Sequence, residues 1–347
     1  ASWGCRPIVA YTSTPSTSCV AAATIAACDE GRSQPTVTIA DTPASRAAAT
    51  APASPPVIRA SCTWQWESNS TPLVCRDGGE FDDATHFVVA GTANDGRLTY
   101  TGEIAPEWDI AGNANGGFLL AIAARAMADA VGRPPLSITA HYLAPGRPGP
   151  AEVLVDVVRA GRRMATAQAV LRGADGEIIR VLGTFAEQRP ATEAEVPAVV
   201  HAAPPELPPA GECVRMQPPA DNSGFGDRVA MWAHPDDAGF GVGRPSGTAT
   251  IRGWFEFSDA QPIDAFGLLV AADAFAPVIF NVAGFPVSWA PTLELTVHVR
   301  SVPAPGPLRC RFSSRFMLNG MFEEDGELWD STGTLVAQSR QLALIPR

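Results

Sequence analysis

Beyond residue 80 the sequence alternates strand-like segments with one long apolar stretch, and it does so twice. The first strand-like segment covers residues 97–104, and the apolar stretch after it covers residues 118–131. This stretch is rich in Ala, Leu, Ile and Met, which favour helices, and its only charged residues are Arg125 and Asp129. The pattern predicts a helix that is buried on most of its sides, with Arg125 and Asp129 paired across one turn.

Four strand-like segments follow, at residues 137–143, 152–159, 166–172 and 178–185, and Asp175-Gly176 predicts a tight turn between the last two. The same order then recurs in the second half of the chain. A strand-like segment at 247–257 precedes an apolar helical stretch at 265–276, which has Asp264 as candidate cap and ends before Pro277. Four more strand-like segments cover residues 293–300, 308–316, 321–329 and 334–344. A buried helix followed by consecutive strands, present twice, predicts a duplicated α+β fold.

Composition divides the chain further. Ala, Ser, Thr and Pro fill 43 of the first 79 positions, a composition that buries too little apolar surface to offset chain entropy. We therefore expect residues 1–79 to be a disordered leader or to reflect a start site assigned too far upstream, with an unusual N-terminal extension as the alternative. Residues 188–220 hold eight prolines and read as a linker between units at 80–187 and 221–347.

Five of the seven cysteines lie in the leader, which raises a disulfide or metal module as a hypothesis. They are Cys5, Cys19, Cys28, Cys62 and Cys75. Their spacing contains no C-x-x-C pair, which disfavours a zinc ribbon. Their number is odd, so full pairing within the leader would leave one thiol over.

Charge and hydropathy exclude several classes of protein. The net charge is −11, every basic residue is Arg, and no basic cluster stands out, so a nucleic-acid partner is not expected. No apolar run reaches the roughly 18 residues that a membrane span needs. The beginning of the sequence does not resemble a signal peptide. We therefore expect a cytoplasmic location.

Three short motifs carry a resemblance to a known family. They are Asn115-Gly116-Gly117, the six residues from His141 to Gly146, and the run from Arg159 to Arg163. Together with positions in the second half, they make residues 80–346 resemble the acyl-CoA thioesterase II family, the TesB-like double-hotdog thioesterases. The resemblance implies two tandem hotdog units, each a buried helix wrapped by an antiparallel sheet. It also implies an acyl-CoA substrate and no metal or other cofactor.

The resemblance further implies the residues that hold the attacking water. The family's Asp, Thr and Gln fall on Asp273, Thr292 and Gln341. Two neighbours depart from the family pattern. Leu295 stands where a His is common, and Leu342 follows the Gln where Glu-Gly is common.

Asp273 is also notable on physical grounds alone. It is the only ionisable residue between positions 265 and 280, and a buried carboxylate without partners is costly. Burial would raise its pKa toward the value that suits a general base. The alternative is an Asp on a solvent-facing stripe or at the cap of a broken helix. Thr292 and Gln341 alone would be ordinary strand residues.

Two further sets of residues are candidates for substrate binding. The N–H groups of Asn115, Gly116 and Gly117 could stabilise an oxyanion at a helix start. The second helix start near Asp264 is an equal candidate, and plain capping with tight packing is the alternative. Arg159, Arg162 and Arg163 could contact CoA phosphates, with a solvated strand end as the alternative.

Two other functions stay open from the sequence. A double hotdog could bind acyl-CoA or an acyl carrier without hydrolysing it, and the Leu295 departure favours that interpretation. A hotdog hydratase would need a paired Asp and His in a recognisable motif, which we do not find. Two fused units replace a two-chain dimer, and further pairing into a homo-oligomer stays open.

Overall fold

The structure is a computed structural model that describes residues 23–25, 37–39, 79–190, 199–217 and 224–346. Contacts divide the chain into two units, residues 1–73 and 74–347. In the first unit, strand β1 (Ala23–Ile25) pairs antiparallel with β2 (Val37–Ile39). The rest of the predicted leader, with its five cysteines, lies outside the described residues. Everything below concerns the second unit.

The first half of this unit contains a long helix and its strands. The elements are α1 (Glu80–Thr85), β3 (Val88–Thr92), β4 (Leu98–Ile104), β5 (Asp109–Ile110), β6 (Asn113–Ala114), α2 (Gly116–Val131), β7 (Pro135–Tyr142), β8 (Gly149–Ala160), β9 (Met164–Gly173) and β10 (Gly176–Ala186). Helix α2 and the four strands after it agree with the sequence prediction to within about three residues at each end.

Helix α2 is capped at both ends. The Asn115 side-chain oxygen accepts a hydrogen bond of 2.9 Å from the Phe118 amide, which confirms the predicted N-cap. Gly132 ends the helix in the left-handed conformation, at φ 68°. The predicted pairing of Arg125 with Asp129 is wrong. Arg125 instead bonds Asp82 and Asp264, because both carboxylates approach it from other elements, and Asp129 accepts a hydrogen bond from Tyr100.

The second half repeats the arrangement. Its elements are β11 (Val214–Met216), α3 (Gly224–Arg228), β12 (Val229–Ala233), β13 (Thr250–Phe257), α4 (Gly267–Ala271), β14 (Thr292–Val299), β15 (Leu308–Ser313), β16 (Met317–Leu318), β17 (Met321–Trp329) and β18 (Leu335–Leu344). Short strands β11 and β12 have no counterpart in the sequence prediction.

Helix α4 corrects the predicted helix at 265–276. Only Gly267–Ala271 is α-helical, and Asp264 precedes it as the predicted cap, accepting from the amides of Phe266 and Gly267 at 2.9 and 2.8 Å. Past Ala272 the chain leaves the α-helical pattern, since the Asp273 amide bonds the Val270 carbonyl three positions back, and the main-chain oxygen of Asp273 faces the other half. This oxygen accepts a hydrogen bond from the Asn115 side chain at 2.9 Å.

All the strands of the two halves except β5 and β6, which pair only with each other, join one antiparallel sheet. Its order is β11-β12-β13-β15-β17-β18-β14-β7-β10-β9-β8-β4-β3, with β16 beside β17. On each side of the β14–β7 junction the strands follow the same order, and α2 is buried beneath the first half. The predicted fold, two tandem hotdogs, is confirmed. No helix among the described residues is long and apolar enough to cross a membrane.

The pairing of β7 with β14 shows the duplication at the level of individual residues. Both strands read Leu-x-(Ile/Leu)-Thr-(Ala/Val)-His, and their threonines, Thr139 and Thr296, lie opposite one another with hydroxyls 2.8 Å apart. Each strand also has an irregularity in register at the matching position, beside Leu136 and beside Leu293. The two halves are therefore related by an approximate twofold axis at this threonine pair.

Candidate active site

Asp273 lies just past the end of α4, where three hydrogen bonds from the other half reach it. Its Oδ2 accepts hydrogen bonds from the Gly117 amide at 2.9 Å and from the Asn115 side-chain nitrogen at 3.3 Å. Asn115 also donates to the Asp273 main-chain oxygen. The other carboxyl oxygen, Oδ1, has no partner among the described residues. Hydrogen bonds thus hold Asp273 through Oδ2, and Oδ1 remains available as an acceptor.

The protonation of Asp273 is set by opposing effects. Loss of hydration raises the pKa of this carboxyl to about 6, and the hydrogen bonds from Gly117, Gly116 and Asn115 limit the rise. The residue keeps some contact with solvent. At neutral pH the carboxylate is therefore mostly ionised, while it remains basic enough to accept a proton.

The two glycines allow the halves to meet through their backbones. A Cβ on Gly117 would lie 2.5 Å from the Leu269 carbonyl oxygen and 2.9 Å from Cα of Val270. A Cβ on Gly116 would lie 2.8 Å from Oδ2 of Asp273. Residues without side chains are therefore required where the start of α2 lies against α4.

This contact bears on the hypothesis that helix-start amides stabilise an oxyanion. The Gly117 amide is bonded to Asp273, and the Gly267 amide at the second helix start is bonded to Asp264. Both amides are occupied by carboxylates. This is the arrangement that the alternative of capping and tight packing expects, and an oxyanion role of these helix starts stays a prediction.

Tyr142 is a neighbour of the site that the sequence reasoning did not single out. Its hydroxyl donates a hydrogen bond of 2.9 Å to the Gly116 carbonyl. Burial and the charge of Asp273 hold its pKa well above the usual value, so it stays a neutral donor. The signal was available, because Tyr142 belongs to the His141 to Gly146 motif.

Thr292 and Gln341 are brought together by strand pairing. Thr292 begins β14, Gln341 lies on the adjacent β18, and the Gln341 side-chain nitrogen donates to the Thr292 hydroxyl at 2.6 Å. Gln341 is buried, and Leu295, fully buried, lies directly opposite it. The Leu295 departure from the family pattern therefore places an apolar side chain beside Gln341.

Glu324 on β17 is an acidic residue that the sequence reasoning missed. It is buried, it lies opposite Gln341, and its Oε2 accepts a hydrogen bond of 2.9 Å from the Val278 amide. Burial and the charge of Asp273 raise its pKa to about 8. Strand alternation could have identified it, since Glu324 has the same parity as the core residues Phe322 and Leu328.

The structure does not bring the three candidate arginines to Asp273. Arg159, Arg162 and Arg163 are exposed around the β8–β9 hairpin. Arg133, just beyond the C-terminus of α2, bonds the Gly161 and Arg162 carbonyl oxygens of this hairpin. Asp273 lies at the other end of α2, a helix of 16 residues and thus about 24 Å in length.

Comparisons with known proteins agree with this architecture. The profile of the acyl-CoA thioesterase N-terminal domain matches residues 104–186, and that of the C-terminal domain matches residues 204–345. A protein of Mycobacterium tuberculosis H37Rv, itself named uncharacterized, is 28% identical over 271 residues, which cover 71% of this chain and 91% of that protein.

Two solved structures are similar over most of this chain. A protein from Thermobifida fusca YX with a provisional thioesterase II assignment is 33% identical, with a TM-score of 0.68, covering 77% of this chain and 98% of that one. A hotdog-fold protein of unknown function from Alicyclobacillus acidocaldarius is 21% identical, with a TM-score of 0.67, covering 78% of this chain and 99% of that one.

Fold, duplication and matched profiles together define a double hotdog of the thioesterase class. The chain belongs to the acyl-CoA thioesterase family.

Proposed function

We propose that this protein hydrolyses fatty acyl-CoA to a free fatty acid and CoA, with Asp273 as the general base. The observation that carries the proposal is the state of the Asp273 carboxylate. Gly117 and Asn115 hold Oδ2, while Oδ1 has no partner among the described residues. A pKa near 6 keeps this oxygen ionised at neutral pH and still able to take a proton.

The reaction needs only water and the thioester. Oδ1 of Asp273 accepts a proton as the water oxygen forms a bond to the thioester carbonyl carbon. The carbonyl electrons move onto oxygen, and the resulting tetrahedral species then breaks its C–S bond. CoA leaves as a thiolate and takes a proton, ultimately the one held by Asp273, which restores the carboxylate.

Thr292 and Gln341 are proposed to orient the water or the carbonyl oxygen. Gln341 spends one N–H on the Thr292 hydroxyl, which leaves its second N–H and the Thr292 O–H as donors. Both belong to a buried or partly buried pair, where a hydrogen bond is stronger than in water. Such donors can stabilise the negative charge that develops on oxygen.

The test follows free thiol in purified full-length protein incubated with acyl-CoAs of several chain lengths. Asp273→Asn should lower kcat by about a hundredfold to ten-thousandfold, the usual contribution of a general base. Asp236→Asn is the matched control, because the Asp236 side chain is 79% exposed and lies outside the site. An Asp273→Asn protein that hydrolyses as fast as the control would exclude this role.

A second candidate is a protein that binds acyl-CoA without hydrolysing it. The observation that favours it is Leu295, which gives Gln341 an apolar neighbour on β14. This function predicts a rise in melting temperature on addition of acyl-CoA with no release of thiol from the wild-type protein.

A further inference from the structure

The reaction proposed above leaves one buried acid of the site without a role. Glu324 and Gln341 are direct partners in the pairing of β17 with β18. Both side chains are buried on the core-facing side of the sheet. Opposed residues of an antiparallel pair have Cβ atoms about 5 Å apart, so the two side-chain ends are within reach of one another.

When Glu324 is unprotonated, one oxygen of Glu324 and one oxygen of Gln341 lack a hydrogen-bond donor. Oε2 of Glu324 accepts from Val278, and the nitrogen of Gln341 donates to Thr292. Oε1 of Glu324 and Oε1 of Gln341 have no partner among the described residues. Leu295, opposite Gln341 on the other side, offers no polar atom. Two neighbouring acceptor oxygens can share a hydrogen bond only if one of them carries a proton.

We infer that Glu324 is a positioning residue, which as a neutral acid donates its O–H to Oε1 of Gln341 and so fixes Gln341 against Thr292. This inference rests on the proposed hydrolysis, because it assigns the Gln341–Thr292 pair a task in that reaction. The amide of Gln341 then keeps its oxygen toward Glu324 and its nitrogen toward Thr292. The second N–H of the Gln341 amide therefore points in one fixed direction.

The surroundings of Glu324 favour the neutral form. From β18 it faces the uncharged Gln341, and from the turn at Val278–Asn281 it faces an amide. Along β17 its neighbours on the same side are Phe322 and Gly326. Among the described residues, the charge that acts on it is that of Asp273, which repels a second negative charge.

Two carboxyls that interact in this way ionise in turn, with Asp273 first. The pKa of Asp273 is about 6 and that of Glu324 about 8. Hydrolysis should therefore decline above about pH 8, where Glu324 loses the proton that Gln341 requires. Asp273 is already ionised there and cannot cause this decline.

The experiment compares kcat and KM across pH for full-length wild-type protein and three variants. Glu324→Gln keeps an N–H donor and cannot ionise, so we expect kcat at pH 7 within about threefold of wild type and no alkaline decline. Glu324→Met keeps the volume without a donor, and we expect kcat to fall by about tenfold or more with KM nearly unchanged. Glu327→Gln, on the outer side of the same strand, should keep the wild-type profile.

A wild-type-like alkaline decline in Glu324→Gln would overturn the inference and leave the proposed hydrolysis intact. Absence of thiol release from the wild-type protein would instead contradict the proposed hydrolysis itself. A second measurement does not need activity. In carbon-13 NMR of glutamate-labelled protein, the carboxyl signal that Glu324→Gln removes should titrate near pH 8. Titration of that signal near the ordinary value of about 4.3 would overturn the inference.

Discussion

The main-chain amide of Gly117 donates a hydrogen bond of 2.9 Å to Oδ2 of Asp273, across the contact between α2 and α4. The carboxyl that follows the helix of the second hotdog is thus oriented by the first turn of the helix in the other hotdog. Neither half contains this arrangement alone. The candidate site therefore contains residues of both units, and the absence of side chains at Gly116 and Gly117 leaves room for the contact.

The two halves carry different residues at the positions related to the candidate site. Strand registers relate Thr292 to Pro135, Gln341 to Gly183, and Glu324 to Ala167. The related positions in the first half thus carry neither a hydroxyl, an amide nor a carboxyl. We expect one hydrolytic site per chain, at the second-half set. Titration of the protein with a tight-binding substrate analogue should give one bound equivalent per chain. Two equivalents per chain would contradict the expectation that only the second half carries the site.

The pH profile should report Asp273 on its acid side. Because the pKa is raised to about 6, the base is protonated below that pH, and kcat/KM should fall tenfold per pH unit there. Asn115→Asp keeps an oxygen that can cap α2 and replaces the donor to Asp273 by a second carboxylate. The acid limb of this variant should move upward by about one pH unit. An unmoved limb would show that another group titrates.

The same pKa predicts a pH-dependent stability. The folded-state pKa lies above the unfolded value of 3.8, so the folded protein holds this proton more tightly, and stability falls as pH rises from about 4 to about 6. Asp273→Asn removes this cost. We expect it to raise stability at pH 7.5 by about 1–3 kcal/mol, with the gain vanishing below pH 4. Thermal unfolding of this variant and of Asp236→Asn at both pH values measures the difference.

Gly117→Ala should damage both packing and chemistry. The added Cβ would meet the Leu269 carbonyl oxygen at 2.5 Å, so α2 and α4 must separate. We expect a loss of about 1–3 kcal/mol of stability, typical of an overpacked contact, together with reduced kcat. Gly241→Ala is the matched control, because a Cβ there meets no atom within 4 Å. Equal effects of the two substitutions would argue against the close backbone contact.

Thr292 can be tested by removing only its hydroxyl. Thr292→Val keeps the volume and leaves the buried nitrogen of Gln341 without its acceptor. We expect kcat to fall by about tenfold to a hundredfold, in line with an unsatisfied buried donor. Thr292→Ser restores the hydroxyl and should recover most of the rate. Failure of the serine variant to recover would assign the loss to strand packing instead.

Local signals sufficed for much of the fold. The apolar stretch with Asn115 before it became α2 with its cap, because a cap depends only on residues a few positions apart. The longer strands of both halves were readable from alternation and turn residues, whereas the short strands β11 and β12 were missed. For the helix at 265–276 the local signal misled, since composition favoured a longer helix than the Gly267–Ala271 segment that forms.

For the site, the sequence by itself named Asp273, Thr292 and Gln341 through a family resemblance, and it fixed the order of elements that carry them. Tertiary structure decided the rest: that Gly117 donates to Asp273, that Glu324 stands opposite Gln341, and that Arg159 lies toward the far end of α2. The physical reason is distance along the chain. Gly117 and Asp273 are 156 positions apart, and no periodicity or composition within a segment specifies which backbone amide meets which carboxylate once two helices pack.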